Sequence, residues 1–243
     1  MKKMLIVGSM LVLLPCLGSA QGLGDMLKGM KLPTMPSTGA GAGLDQGTAA
    51  SGLKEALAIG TGNAVASGSK LDGYFGNQMI KILMPKQIQN VADVLGKLGY
   101  QKQVDEFVLS MNRAAEKAAP QAKSIFMDSI KAMTFDDAKN ILGGGDTAAT
   151  EYFKQKTSGK LTEAFKPIIS KSMDDVGATK AYKDMMGKYT AVPFMKTESL
   201  DLDNYVTGKS LDGLFYMVGQ EEKAIRTNPA ARTTDLLKKV FAK

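Results

Sequence analysis

From about Ser51 onward, apolar residues recur three and four positions apart, the spacing of amphipathic helices. A first helix is predicted from Leu53 to about Ser67, with Leu53, Ala56, Leu57, Ala64 and Val65 on one side. Gly60 and Gly62 either weaken it or let a neighbour approach closely. A Gly-Tyr-Phe-Gly connection at 73–76 leads to the short apolar run Met79–Met84. Pro85 suits the first turn of a helix carrying Ile88, Val91, Val94, Leu95 and Leu98, which Gly99 stops. Gln103–Ala118 points Val104, Phe107, Val108 and Met111 inward, and Pro120 opens a helix bearing Ile125, Phe126 and Ile130.

Thr134, followed by Asp136 and Asp137, reads as the capped start of a short helix ending at Leu142, before Gly143-Gly144-Gly145. Asp146 or Thr147 then caps a segment through Tyr152 and Phe153. Ser158-Gly159 separates that segment from Leu161–Met173, where Pro167 predicts a kink. A Tyr/Met helix (Tyr182, Met185, Met186, Tyr189) precedes Pro193. A long helix follows, from Leu202 to about Arg226, and after Asn228-Pro229 a final one presents Leu236, Leu237, Val240 and Phe241. No segment alternates convincingly as a strand does. The expected architecture is a single all-α domain at 51–243, a bundle of about eight to ten helices.

The first fifty residues differ in kind. Lys2 and Lys3 precede an apolar run from Met4 to Leu14, Pro15 breaks it, and Gly18-Ser19-Ala20 supplies the small residues of a cleavage site. This is the pattern of a Sec signal peptide over 1–20, with a run too short for a stable membrane anchor. It predicts a periplasmic or secreted protein whose mature chain has no transmembrane span. Lipidation at Cys16 is the less favoured processing, because Pro15 stands where a small residue is wanted. Residues 21–50, rich in Gly, Ala, Thr, Ser and Pro, read as a flexible linker.

Composition then removes whole classes of chemistry. The chain has no histidine, and its one cysteine, Cys16, leaves with the signal peptide. Disulfides, thiolate metal sites, cysteine nucleophiles, Ser-His-Asp triads and histidine acid–base catalysis are thereby excluded. No cofactor is implied. The net charge of +7 becomes +5 once Lys2 and Lys3 are lost. That excess is mild, scattered and almost all lysine, with no basic–aromatic stripe for nucleic acid. Arginine is scarce: only Arg113, Arg226 and Arg232. Where lysine is the default cation, these three are expected in ion pairs or helix-terminus contacts that need a planar, bidentate donor.

Three polar constellations stand out. Asn112, Arg113 and Glu116 lie on neighbouring helix positions, either a carboxylate held by arginine at a cleft or a structural ion pair beside small alanines. Gly143–Thr147 before a helix resembles an anion-binding loop, or is a plain helix stop and cap. Glu222, Arg226, Asn228 and Arg232 form the densest polar region, a helical corner tied by salt bridges or a ligand site, with Thr233 or Thr234 capping the last helix. Asp201, Asp203 and Asn204 lack the glycine and distant glutamate of a calcium loop. With Asp137, the candidate polar cluster is Asn112, Arg113, Glu116, Asp137, Glu222, Arg226, Asn228 and Arg232; no catalytic or metal-binding residue is assigned. The sixteen methionines line an adaptable groove or fill a core.

Several longer motifs carry a resemblance. Leu53–Leu57 with Ala64-Val65, Met111–Glu116, Met133–Ala138, Asp146–Thr150, Leu211–Phe215 and the ending Ile225–Leu237 together resemble the domain-of-unknown-function 4197 family of exported bacterial proteins, over roughly 51–242. The resemblance implies an exported helical domain and carries no activity. The favoured reading is a non-catalytic envelope protein that binds an apolar small molecule, a lipid surface or a protein partner. A carboxylate-based hydrolase of envelope polysaccharide, using two of Glu116, Asp137 and Glu222, is the competitor. A structural scaffold is the third.

Overall fold

The computed structural model describes residues 45–175, 177–191 and 200–241. The expected signal peptide, most of the expected linker and the Pro193 boundary lie outside the described residues.

Every regular element described is helical: α1 (Gln46–Ser69), α2 (Gln89–Leu95), α3 (Gln101–Ala118), α4 (Ala122–Ala132), α5 (Phe135–Gly143), α6 (Ala148–Asp175), α7 (Ala178–Thr190), α8 (Leu202–Thr227) and α9 (Asp235–Val240). The all-α class holds. Among the described residues the number of substantial helices falls slightly below eight to ten, since α2 and α9 are single short pieces and two expected helices are one.

That fusion is α6. Ser158-Gly159 does not interrupt it, and Pro167 lies inside it. Ala149, Phe153, Thr157, Leu161, Phe165, Ile169 and Met173 are all buried, one every fourth residue. This stripe passes Gly159 on its hidden side, so packing outweighs the roughly 1 kcal/mol by which glycine disfavours a helix. Pro167 lies on the exposed side of the helix, away from the buried stripe. A four-residue period also advances about 40° per step around a 3.6-residue helix. The buried face therefore winds around α6, which packs against α3, α4, α5, α7 and α8 in turn. It is the central helix of the bundle.

Helical structure also begins earlier than the change of sequence character at Ser51. Asp45 caps α1 by accepting from the Thr48 amide, so 46–50 belong to the helix and not to the linker. Gly60 serves close packing: a Cβ there would lie 3.3 Å from Glu221 of α8. The Pro85 helix is more broken than its pattern suggests, running from a 3-10 turn (Lys86–Ile88) through α2 into a π-helical turn at Gly96–Tyr100, where Gly99 takes φ 87°. Thr134 and Asp137 form the expected reciprocal capping box of α5.

The core is continuous, with Phe126 edge-on to both Phe153 and Phe215. Met111, Met133, Met173, Met185 and Met217 are buried in it and fill space, while Met84, also buried, borders a shallow depression beside Val104 and Val108. A small satellite of Ala56, Ile225 and Leu237 seals α9 against α1 and α8.

Candidate functional site

The polar residues singled out by sequence fall into two anchors and one cap. Each anchor is a buried glutamate holding another segment's backbone.

In the first, Glu222 of α8 reaches the start of α6. Its Oε1 accepts the Ala149 amide at 2.9 Å, and its Oε2 accepts the Thr150 amide and hydroxyl, each at 2.8 Å. The first amides of a helix have no partner within it and attract negative charge. The Gly143–Thr147 loop does precede an anion-binding helix start, and the anion is this chain's own carboxylate. Neither Asp146 nor Thr147 provides the cap expected of them; Glu222 does so from another helix. Arg226, one turn on, donates to Glu222 Oε1 from Nε (3.1 Å) and Nη2 (2.9 Å) and to the Ile141 carbonyl at the end of α5 (2.8 Å). One guanidinium thus closes α5 and neutralises the cap of α6. Arg232 donates to the carbonyls of Ile225 and Arg226, closing α8, while Asn228 accepts from the Ala230 amide and Thr234 caps α9.

The second anchor, on α3, holds the irregular stretch between α1 and α2. Glu116 Oε1 accepts the amides of Tyr74 (3.1 Å) and Phe75 (3.2 Å). Its Oε2 pairs with Arg113 at 2.6 Å, and Arg113 reaches on to Asp72 at 2.7 Å. Asn112 accepts from the Ile82 amide and donates to the Ile82 carbonyl, both at 2.8 Å, as a neighbouring strand would. Burial along that stretch alternates accordingly: Ile80, Ile82 and Met84 point in, while Met79 and Leu83 point out at 68% and 61% exposure. Tyr74 is wholly buried and donates to the Ser210 carbonyl at 2.7 Å. Burial, with the Glu116 charge second, pushes its phenol well above the usual range.

Asp137 joins neither anchor. It sits in the capping box of α5, where the Thr134 amide and hydroxyl hold its carboxyl below the ordinary carboxylate range. A general acid must keep its proton near neutral pH, so this shift runs the wrong way. Glu116 and Glu222 are each committed to an arginine and two backbone amides. The eight candidates are therefore not gathered in one cleft. Among the described residues no group of three or more carboxylates forms a metal cluster.

Concave surface lies elsewhere, around the first turns of α6. An open groove of about 700 Å³ is lined by Asp137, Asn140, Glu151, Tyr152, Lys154 and Gln155, with Ile141 and Ala148. A second, of about 620 Å³, shares Glu151 and Lys154 and continues to Tyr216 and Lys223 of α8. One apolar-lined depression, between α1 and α8, holds only about 10 Å³, and a shallow one beside Leu83, Met84, Val104 and Val108 holds about 230 Å³. Sequence reasoning did not single out Asn140, Tyr152 or Gln155. They belong to no motif and come together only where α5 meets α6.

With this geometry in hand, the family can be decided. The model described as "Protein of unknown function (DUF4197)" matches residues 43–242. The chain belongs to this family. The match covers every described helix, and it starts at 43, in keeping with an α1 that opens at Gln46. Comparison with curated proteins and with solved structures gave no match. Each anchor of the family domain involves motifs that carried the resemblance: Met111–Glu116 supplies Asn112, Arg113 and Glu116, while Glu222, itself outside those motifs, caps Asp146–Thr150 and pairs with Arg226 of the ending. These motifs are explained by the architecture of the domain.

Proposed function

We propose that the protein is a non-catalytic, exported envelope protein that attaches to an anionic lipid surface through the stretch between α1 and α2. One observation carries this reading: Leu71, Met79 and Leu83 are the three most exposed large apolar residues described, and all belong to a stretch held rigidly by Glu116, Asn112 and Tyr74. A loop that is merely irregular would turn such side chains inward or move. Here the alternation of 80, 82 and 84 inward leaves Met79 and Leu83 outward, with half-buried Lys81 between them, its ammonium 3.9 Å over the Phe75 ring, and exposed Lys70 and Lys86 flanking the stretch. Full burial of a leucine or methionine side chain contributes about 1.5–3 kcal/mol. Each lysine at an anionic leaflet adds about 1 kcal/mol. No described helix is long and apolar enough to cross a membrane, so attachment would be peripheral. The apolar-small-molecule version has less support, because the larger grooves are open and of mixed polar and apolar lining, with no enclosed apolar cavity among the described residues.

Flotation of the exported protein with vesicles tests the reading. Vesicles containing phosphatidylglycerol should carry the protein up the gradient, and pure phosphatidylcholine vesicles should carry much less. The Met79→Ser/Leu83→Ser variant, altered only at exposed positions, should stay at the bottom. Equal flotation of variant and parent would refute the assignment.

A further inference from the structure

We infer that the groove between α5 and α6 is a binding site for a neutral, hydroxyl-rich ligand, a short oligosaccharide. This goes beyond the lipid reading and shares no residue with it.

The lining narrows the ligand class step by step. Small-molecule pockets of a few hundred Å³ are usually mostly apolar. This one, of about 700 Å³, presents Asp137, Asn140, Glu151, Tyr152, Lys154 and Gln155. An apolar ligand would strand those polar groups. An anion is disfavoured too. The amides of Ala149 and Thr150 at the adjacent helix start, its natural donors, are already taken by Glu222, and Glu151 and Asp137 stand at the rim. Glu151 and Lys154 pair with each other at 3.2 Å, so neither offers a free counter-charge to a cation or an anion. What remains is a neutral ligand offering donors and acceptors together, which is the character of a sugar ring.

The arrangement also supplies the two kinds of contact a sugar requires. Planar side-chain amides such as Asn140 and Gln155 can each meet a pair of neighbouring hydroxyls, and Glu151, paired through Oε1 with Lys154, has Oε2 as a further acceptor. Asp137 uses only Oδ2 in its capping box, leaving Oδ1 free as an acceptor. Tyr152 adds a half-buried ring, held edge-on against Phe153 with the Lys156 ammonium 5.8 Å from its centre, as an aromatic surface for the apolar face of a pyranose. A second depression of about 290 Å³ shares Asp137 and Tyr152 and continues the groove to Ser129, Thr134 and Lys160. In it the Ser129 hydroxyl oxygen is buried without a hydrogen-bond partner. Two depressions meeting at one aromatic ring fit a chain of sugars better than a single one.

The experiment is a titration of the exported, nitrogen-15-labelled protein with chitotetraose and, separately, cellotetraose, followed by NMR. These probes distinguish an N-acetylated glycan from a plain one of the same linkage. Shifts should move at the side-chain amides of Asn140 and Gln155 with at least one probe. Because Tyr152→Ala could also disturb packing, the deciding variant is Asn140→Ala/Gln155→Ala, at two exposed positions. It should fold with an unchanged melting midpoint and weaken binding at least about tenfold, a loss of about 1.4 kcal/mol. If neither tetrasaccharide shifts these amides at about 10 mM, well above a millimolar dissociation constant, the inference is wrong. Binding that the double variant leaves unchanged would overturn it equally.

Discussion

Glu222 and Thr150 stand 72 positions apart, yet one carboxylate oxygen of the first accepts both the amide and the hydroxyl of the second, at 2.8 Å each. A helix start that would ordinarily be capped by its own N-terminal neighbour is capped from another helix. Removing the carboxylate charge should therefore be felt across the domain. Glu222→Gln keeps one acceptor but leaves Arg226 without its buried partner, and should destabilise the fold by about 3 kcal/mol. Urea unfolding at neutral pH measures this. Combining it with Arg226→Met should cost about 1 kcal/mol or more less than the sum of the single changes, since the two residues interact directly. Full additivity would mean that the pair is not coupled.

The Asn112 anchor should act more locally. Asn112→Ala leaves the Ile82 amide and carbonyl without their partner, each a penalty of about 1–3 kcal/mol if kept from water. The stretch can relieve part of that by loosening. Hydrogen exchange should accordingly speed up at Ile82 while Phe153, at the centre of the bundle, keeps its protection. Uniform acceleration of both would show that the anchor supports the whole fold.

Alkaline pH provides a test of Tyr74. Its folded-state pKa is raised above the ordinary 10.0 by burial, then by Glu116. A raised value leaves stability intact below the unfolded pKa and removes it as pH climbs from there toward the folded value. Above pH 10, stability should thus fall by about 1.4 kcal/mol per unit on account of this residue alone. Tyr74→Phe loses the hydrogen bond to Ser210, so it should be about 1 kcal/mol less stable at pH 7 and shed less stability between pH 9 and 11. Parallel pH profiles for parent and variant would contradict this.

Gly213 presents a packing test. It lies in the middle of α8, where alanine would ordinarily favour the helix by about 1 kcal/mol. A Cβ there would sit 2.8 Å from the Tyr74 ring and 3.1 Å from Ile80. Both belong to the anchored stretch and cannot retreat. Gly213→Ala should destabilise by about 1–3 kcal/mol despite its helix preference, read as a lowered melting midpoint. Gly208, on the same helix with nothing near a Cβ, is the control and should tolerate alanine.

How far all this was legible depends on the range of the interaction. Helix periodicity and local caps were readable: the capping box of Thr134 and Asp137 spans three residues, and the pairs Arg113–Glu116 and Glu222–Arg226 span three and four. The scarcity of arginine foretold that Arg113, Arg226 and Arg232 would hold carboxylates or helix ends, as each does. The partners that complete each anchor were not readable. Nothing near Glu222 points to Thr150, and nothing near Asn112 points to Ile82. Gly159 misled for a related reason: its local preference was visible, but the buried stripe from Ala149 to Met173 that overrides it is set by the surrounding helices. The residues of the α5–α6 groove gave no signal because none is unusual in its own segment.

The in-trans cap of α6 also bears on the order in which this chain can mature. Three long-range locks require the last part of the chain: Asn63 meets Glu221 across 158 positions, Tyr74 meets Ser210 across 136, and Ala149 meets Glu222 across 73. A chain growing from its N-terminus has formed α1 to α6 before any of these acceptors exists. Its central helix then has an uncapped start, and the α1–α2 stretch lacks its tyrosine tether. Such contacts of high sequence separation close slowly. The Glu116 and Asn112 contacts can form before α8 arrives, but the final fifth of the sequence supplies the long-range locks that complete the domain.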